Sequence, residues 1–234
     1  MSVEEFIRAL NRYAHLLGFP VNVEWARTVE SVQQEIMGEV RGAAGGYKSL
    51  REFIEALDSQ GLLEKAIAKA SSAMGEDVEE YRRSVEAALI GDLNVKGSKP
   101  ALIALQAIAR AYAEEASKKG LLIEQSAYCP ICGATSETMV KAGNRYLMVC
   151  HFCTYTWIVS EKHPTCPYCG NTDMLTIGVI SDKHMRIALM KCWKCGSTWR
   201  AILDETIKAP PALLPLIAMA AERYSPILAT LQKE

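Results

Sequence analysis

All eight cysteines of this 234-residue chain lie in its second half, and all fall in Cys-x-x-Cys pairs: Cys129/Cys132, Cys150/Cys153, Cys166/Cys169 and Cys192/Cys195. A pair at that spacing forms a tight knuckle whose two thiolates face one ion, which is half of a tetrahedral site. Four pairs therefore imply two four-cysteine sites, and the segments between the pairs must fold as strands and turns that bring separate knuckles together.

The pairs repeat in a definite order. Cys129-Pro130-Ile131-Cys132-Gly133 and Cys166-Pro167-Tyr168-Cys169-Gly170 look like copies of one another. Cys150-His151-Phe152-Cys153 and Cys192-Trp193-Lys194-Cys195 are a second type, each preceded by a strand-like run and followed by a Thr-Trp, at Thr156-Trp157 and Thr198-Trp199. An internal repeat of about forty residues marks stacked copies of one structural unit. Sequential pairing then puts Cys129, Cys132, Cys150 and Cys153 on one metal and Cys166, Cys169, Cys192 and Cys195 on the other, each in the form of a zinc ribbon or rubredoxin-like module. A glycine after the knuckle supplies the positive φ that its turn requires. Gly133, Gly170 and Gly196 stand at that position, and Thr154 stands there in the second knuckle.

Disulfides fit this pattern poorly. The amino terminus, Met1-Ser2-Val3-Glu4-Glu5, has no signal-peptide character, and every cysteine sits at metal spacing, so reduced thiols and a cytoplasmic location are expected. Thioredoxin-type chemistry needs the pair to open a helix. Zinc and iron both accept four thiolates in a tetrahedron, so the donor set implies two metal ions, zinc or iron, without choosing between them. With all four positions filled by protein, such sites hold a fold together. His151, His163 and His184 are then surface residues or neighbours of the ligands.

Before Ser126 the pattern is helical. Val3, Phe6, Ile7, Leu10, Ala14 and Leu17 recur at three- and four-residue steps, as do Trp25, Val29, Val32, Ile36 and Val40 in a second helix that the glycine-rich 42–46 stretch should end. Further helices follow around Phe53, Ile67 and Val85. Asp77 is the expected cap of the fifth and Ser98, ahead of Pro100, that of the sixth. Gly42 to Ser49 lacks the spacing of a phosphate loop and reads as a connection between helices. Past Pro210-Pro211 a last helix runs from Leu213 to about Tyr224, expected to pack back on the rest. The segments 101–113 and 212–221 are apolar but interrupted by Gln106, Arg110 and Pro215, so no membrane span is expected.

The reading is an α+β chain: an all-helical domain over 1–125, a four-cysteine module over 126–160, a second over 161–209 and a carboxyl-terminal helix within 210–234. Residues 1–125 carry 15 Lys and Arg against 19 Asp and Glu, and residues 126–200 carry 8 against 4. The excess in the metal-binding half is sparse beside the dense basic stripe of a dedicated nucleic-acid module.

The run from Cys129-Pro-Ile-Cys-Gly133, through Asn144-Arg145-Tyr146-Leu147 and Cys150-x-x-Cys153-x3-Trp157, to Cys166-Pro-Tyr-Cys-Gly170-Asn171 and Cys192-x-x-Cys195 resembles the formate dehydrogenase accessory protein family, FdhE. The likeness spans about residues 98 to 200. It implies a helical amino-terminal domain followed by two rubredoxin-like modules, with all eight cysteines as ligands of iron or zinc. It also implies a cytoplasmic protein without catalytic activity that binds the catalytic subunit of a molybdenum- or tungsten-pterin formate dehydrogenase, or a related pterin oxidoreductase, and assists its maturation. On this reading Tyr128, Phe152, Tyr155, Tyr168 and Trp193 are candidate partner contacts or knuckle packing. The alternative is a zinc-ribbon nucleic-acid-binding protein, using basic residues such as Lys141, Arg145, Arg186, Lys191, Lys194 and Arg200. Electron transfer would require iron that cycles between oxidation states.

Overall fold

The computed structural model describes residues 2–17, 20–173, 175–182 and 185–224. The chain divides into two compact units, one made of Met1–Ile7 and Asn22–Lys119, the other of Arg8–Val21 and Gly120–Glu234. The first helix, α1 (Val3–Leu17), has residues in both, and buries Phe6, Ile7, Leu10, Tyr13 and Leu17 along one face.

The first unit is a bundle of α2 (Val23–Ala44), α3 (Leu50–Ser59), α4 (Leu62–Met74), α5 (Tyr81–Ile90) and α6 (Ser98–Ser117). Helix α6 packs against α2, α3, α4 and α5. Its sequence explains that central place: Ala101, Ala104, Ala107, Ala109 and Ala111 are fully buried beside Leu105 and Ile108, so the neighbouring backbones approach closely around a few large side chains. Burying one such Leu or Ile contributes about 1.5–3 kcal/mol. Helix α2 ends at Ala44 with Gly45 as its cap, within the glycine-rich 42–46 stretch expected to stop it. Ser49 then caps α3, its hydroxyl accepting the Glu52 N–H at 3.2 Å, while the Glu52 carboxylate accepts the Lys48 N–H at 3.1 Å. The Lys48-Ser49 pair is thus a helix start rather than a phosphate loop.

Two expected caps are displaced. Helix α5 begins after Glu80, not Asp77. At the start of α6 the cap position is Gly97, and Ser98 lies in the first turn with its hydroxyl buried and without a hydrogen-bond partner. Glycine is required at 97: φ is +84°, and a Cβ there would lie 2.7 Å from the Ser84 hydroxyl.

The second unit holds β1 (Thr138–Ala142), β2 (Arg145–Val149), β3 (Thr156–Ser160), β4 (Leu175–Asp182), β5 (Met185–Cys192) and β6 (Thr198–Ile202). Each four-cysteine module is a three-stranded antiparallel meander, and the two share one six-stranded sheet of order β3-β2-β1-β6-β5-β4. The junction is parallel, with Thr138, Met139 and Val140 opposite Arg200, Ala201 and Ile202. The Arg200 N–H donates to the Glu137 carbonyl at 2.8 Å, and the two side chains pair at 3.0 Å. Met139, Ala201 and Ile202 are fully buried there. Beyond β3, the Ile158 N–H donates to Leu122 and the Glu124 N–H to Ile158, both at 2.8 Å, so residues 122–124 cover that edge. Helix α7 (Leu214–Ala218) packs on β1 and β6, and a 3-10 turn, Met219–Tyr224, follows it and lies against β4 and β5. The last helix thus packs on the modules as expected, while 225–234 of its expected domain lies outside the described residues. Among the described residues no helix is long and apolar enough to cross a membrane.

Candidate metal centres

The four knuckles are built alike. In each, the N–H of the residue after the second cysteine donates to the carbonyl of the first: Gly133 to Cys129 at 2.8 Å, Thr154 to Cys150 at 3.1 Å, Gly170 to Cys166 at 3.0 Å and Gly196 to Cys192 at 2.8 Å. The N–H of each first cysteine donates in turn to the carbonyl five residues on, at Ala134, Tyr155, Asn171 and Ser197, each at 2.9 Å. The turn puts the residue after the second cysteine at positive φ: +74° at Gly133, +72° at Gly170, +76° at Gly196 and +59° at Thr154. Thr154 therefore adopts the glycine conformation that its position demands, with the strain of a β-branched side chain there.

These turns converge two by two. The sulfurs of Cys129, Cys132, Cys150 and Cys153 form one cluster and those of Cys166, Cys169, Cys192 and Cys195 another, each with all four atoms within 4.8 Å of one another. The contacts Cys129–Cys153 and Cys132–Cys150 are 3.5 Å, and Cys166–Cys195 and Cys169–Cys192 are 3.7 Å. A tetrahedron of sulfurs about 2.3 Å from a central ion has edges of about 3.8 Å, whereas a disulfide brings two sulfurs to about 2.05 Å. The donor set and its geometry fit one tetrahedral ion per module, paired in sequence order, and each cluster can hold one zinc or iron ion.

The surroundings of the two clusters differ. In the first, Cys129, Cys150 and Cys153 are buried. The N–H groups of Phe152 and Cys153 point at the Cys150 sulfur at 3.3 and 3.5 Å. Hydrogen bonds from Cys129, Cys132 and Cys153 hold the Cys150 thiol far below its ordinary value. Ser136, fully buried, donates to the Val149 carbonyl at 2.6 Å and so ties the strand before the second knuckle to the loop after the first. In the second cluster Cys166 and Cys192 are buried and Cys195 is exposed. The Ser197 hydroxyl, then its N–H, pulls the Cys195 thiol down to about 6, while burial pushes Cys166 up to about 12. The Gln125 amide donates to the Cys166 carbonyl at 3.1 Å and lies so close to Gly170 that a Cβ would meet its oxygen at 2.8 Å.

His151 and His163 are exposed and belong to neither cluster; His184 lies outside the described residues. Of the aromatic residues expected near the knuckles, Tyr155 is core, its hydroxyl accepting the Leu122 N–H at 3.3 Å. Phe152 and Tyr168 are half-buried, and Tyr168 meets the Trp199 ring. Tyr128 and Trp193 face solvent, at 60% and 51% exposure. The repeated tryptophans are both buried, Trp157 donating its indole N–H to the Ser126 carbonyl at 3.0 Å and Trp199 without such a partner. Ser136 and Gln125 carried no motif in the sequence, because each acts through a bond to backbone remote in the chain.

No family model and no curated protein matches the chain. Among solved structures, the crystal structure of the FdhE protein from Pseudomonas aeruginosa matches it with a TM-score of 0.57 at 17% sequence identity, over 98% of this chain and 93% of that one. The chain has an FdhE-like fold, α+β with two zinc-ribbon-like modules, as the cysteine run and its flanking residues implied.

Proposed function

We propose that this protein is a non-catalytic accessory factor that binds the catalytic subunit of a formate dehydrogenase, or of a related molybdenum- or tungsten-pterin oxidoreductase, and assists its maturation in the cytoplasm. The observation that carries this reading is a fold likeness to an FdhE protein over nearly the whole of both chains, joined to the cysteine run through which the sequence resembles that family. The chemistry of the site supports it. Four thiolates complete a tetrahedron, which leaves no position for a substrate or an activated water, so each ion serves to hold the module together. All eight cysteines, Cys129, Cys132, Cys150, Cys153, Cys166, Cys169, Cys192 and Cys195, act as ligands on this reading.

Affinity capture of the tagged protein, with and without nuclease, against a purified formate dehydrogenase catalytic subunit tests it. Nuclease-resistant binding of the subunit before its cofactor is inserted supports the accessory role. Binding to nucleic acid alone, steeply weakened by salt, would replace that role with the zinc-ribbon nucleic-acid reading.

A further inference from the structure

The two modules repeat the same fold, so a position that differs in chemistry between them shows what the fold itself leaves open. The second knuckle of the first module is Val149, Cys150, His151, Phe152 and Cys153, with Val149 fully buried, Phe152 half-buried and His151 exposed. The corresponding knuckle of the second module is Lys191, Cys192, Trp193, Lys194 and Cys195. Two apolar positions, Val149 and Phe152, are lysines here, and the first residue between the cysteines, a histidine in the other module, is a tryptophan that faces solvent.

Lys191 and Trp193 meet, and Lys194, exposed, follows in the same turn. The Lys191 ammonium lies 4.6 Å from the centre of the Trp193 ring, a cation–π contact that orients the indole at the knuckle tip. Among the described residues neither Lys191 nor Lys194 makes an ion pair, whereas Lys141 pairs with Glu205 and Arg200 with Glu137 elsewhere in the sheet. The tip thus presents an oriented aromatic ring with two cations that no described residue of the chain compensates. Exposed tryptophan is costly in water and concentrates at interface anchors, and cations around it select the sign of the partner.

We propose that the knuckle Lys191-Cys192-Trp193-Lys194-Cys195 is a docking tip for an acidic polypeptide segment carrying an apolar or aromatic residue among its carboxylates. The proposal deepens the accessory reading, on which the identity of the polypeptide rests. Polypeptide fits better than nucleic acid, because strand binding uses successive stacking platforms along a basic groove, and this tip offers one ring and two cations on a chain with a net charge of −1.

The test transplants the first module's residues into the second: Lys191→Val, Trp193→His and Lys194→Phe, a set that the repeat already accommodates at these positions. Metal content per chain, measured on the same preparation, reports that the fold is kept. Fluorescence anisotropy then compares a labelled twelve-residue Glu/Phe peptide, its Lys/Phe counterpart and a thymidine oligonucleotide of equal length. The expected result is preference for the acidic peptide, weakened at least tenfold in the transplant and by added salt. Equal binding of both peptides, or undiminished binding by the transplant at full metal content, overturns the proposal, and preference for the oligonucleotide does so in favour of nucleic acid. If the transplant alone folds poorly, Trp193→Ala and Lys194→Glu are read singly by the same criteria. The accessory reading is tested separately with the purified oxidoreductase subunit. Equal capture by wild type and transplant would dismiss the tip and keep the accessory role, and acidic-peptide binding without capture would do the reverse.

Discussion

Arg110 of α6 and Glu30 of α2 meet in the core of the helical unit, where the guanidinium donates to both carboxylate oxygens at 3.0 and 3.1 Å and both residues are more than nine-tenths buried. Gln33 joins them, its side-chain oxygen accepting from Arg110 at 2.5 Å and its amide donating to Gln106 at 3.3 Å. Both charges are thus paired and hydrogen-bonded in a place where an isolated one would be costly. Arg110→Met, which leaves the Glu30 carboxylate buried without a counter-charge and held by the Gln34 amide at 2.7 Å, is expected to destabilise the helical unit by about 3–5 kcal/mol. Glu30→Met combined with it should recover most of that loss. Urea unfolding followed by far-ultraviolet circular dichroism of the two variants checks both; an unchanged midpoint in Arg110→Met contradicts the assignment.

Thr154 gives a prediction of opposite sign. Its φ of +59° costs a β-branched residue about 1–2 kcal/mol that glycine does not bear. Thr154→Gly should raise the melting temperature of the second unit, less the larger entropy that glycine regains on unfolding. Gly133→Val, at the matching position of the first knuckle with φ +74°, should lower it. Scanning calorimetry of the metal-loaded protein reads both changes.

The two ions should leave at different rates. Three cysteines of the first cluster are buried, whereas Cys195 of the second stands in solvent where a chelator or a proton can reach it. Release into excess chelator is expected in two phases, with the fast phase missing from a Cys166→Ser, Cys169→Ser variant. Lowering the pH should speed release, because protons compete with the ion for thiolate sulfur. A single phase carrying both ions would contradict the difference in access.

Because β1 pairs with β6, the same double variant should reach beyond its own module. Loss of the second ion removes the support of β6, and the amides at the β1 junction then lose their neighbours. Hydrogen exchange of Met139, whose N–H faces β6, is expected to quicken by more than tenfold, while the amides of α6 keep their protection. Unchanged exchange at Met139 would mean that the modules fold independently.

The two four-cysteine clusters were legible in the sequence because tetrahedral ligand geometry imposes local spacing: a knuckle is five residues long, and its glycine or stand-in is part of it. The helices were legible from their apolar steps, and α2 stopped within its glycine-rich stretch, yet the caps of α5 and α6 fell on Glu80 and Gly97. In those places packing outweighed local preference. Burial separated Tyr155 from Trp193, which the sequence placed together as aromatics near cysteines. The union of the two modules had no local signal, since Val140 and Ile202 are apolar strand residues with nothing to mark them as partners.

That union also sets an order of events during synthesis. The first module has its four cysteines as soon as Cys153 has emerged, but Val140 finds its neighbour only when Ile202 has been made. At about 5–20 residues per second, the inner strand of a completed knuckle pair spends several seconds as an open edge on the ribosome. For that interval a module already able to take up its ion is still half of a sheet, and the nascent chain offers its stickiest edge at the centre of the finished one.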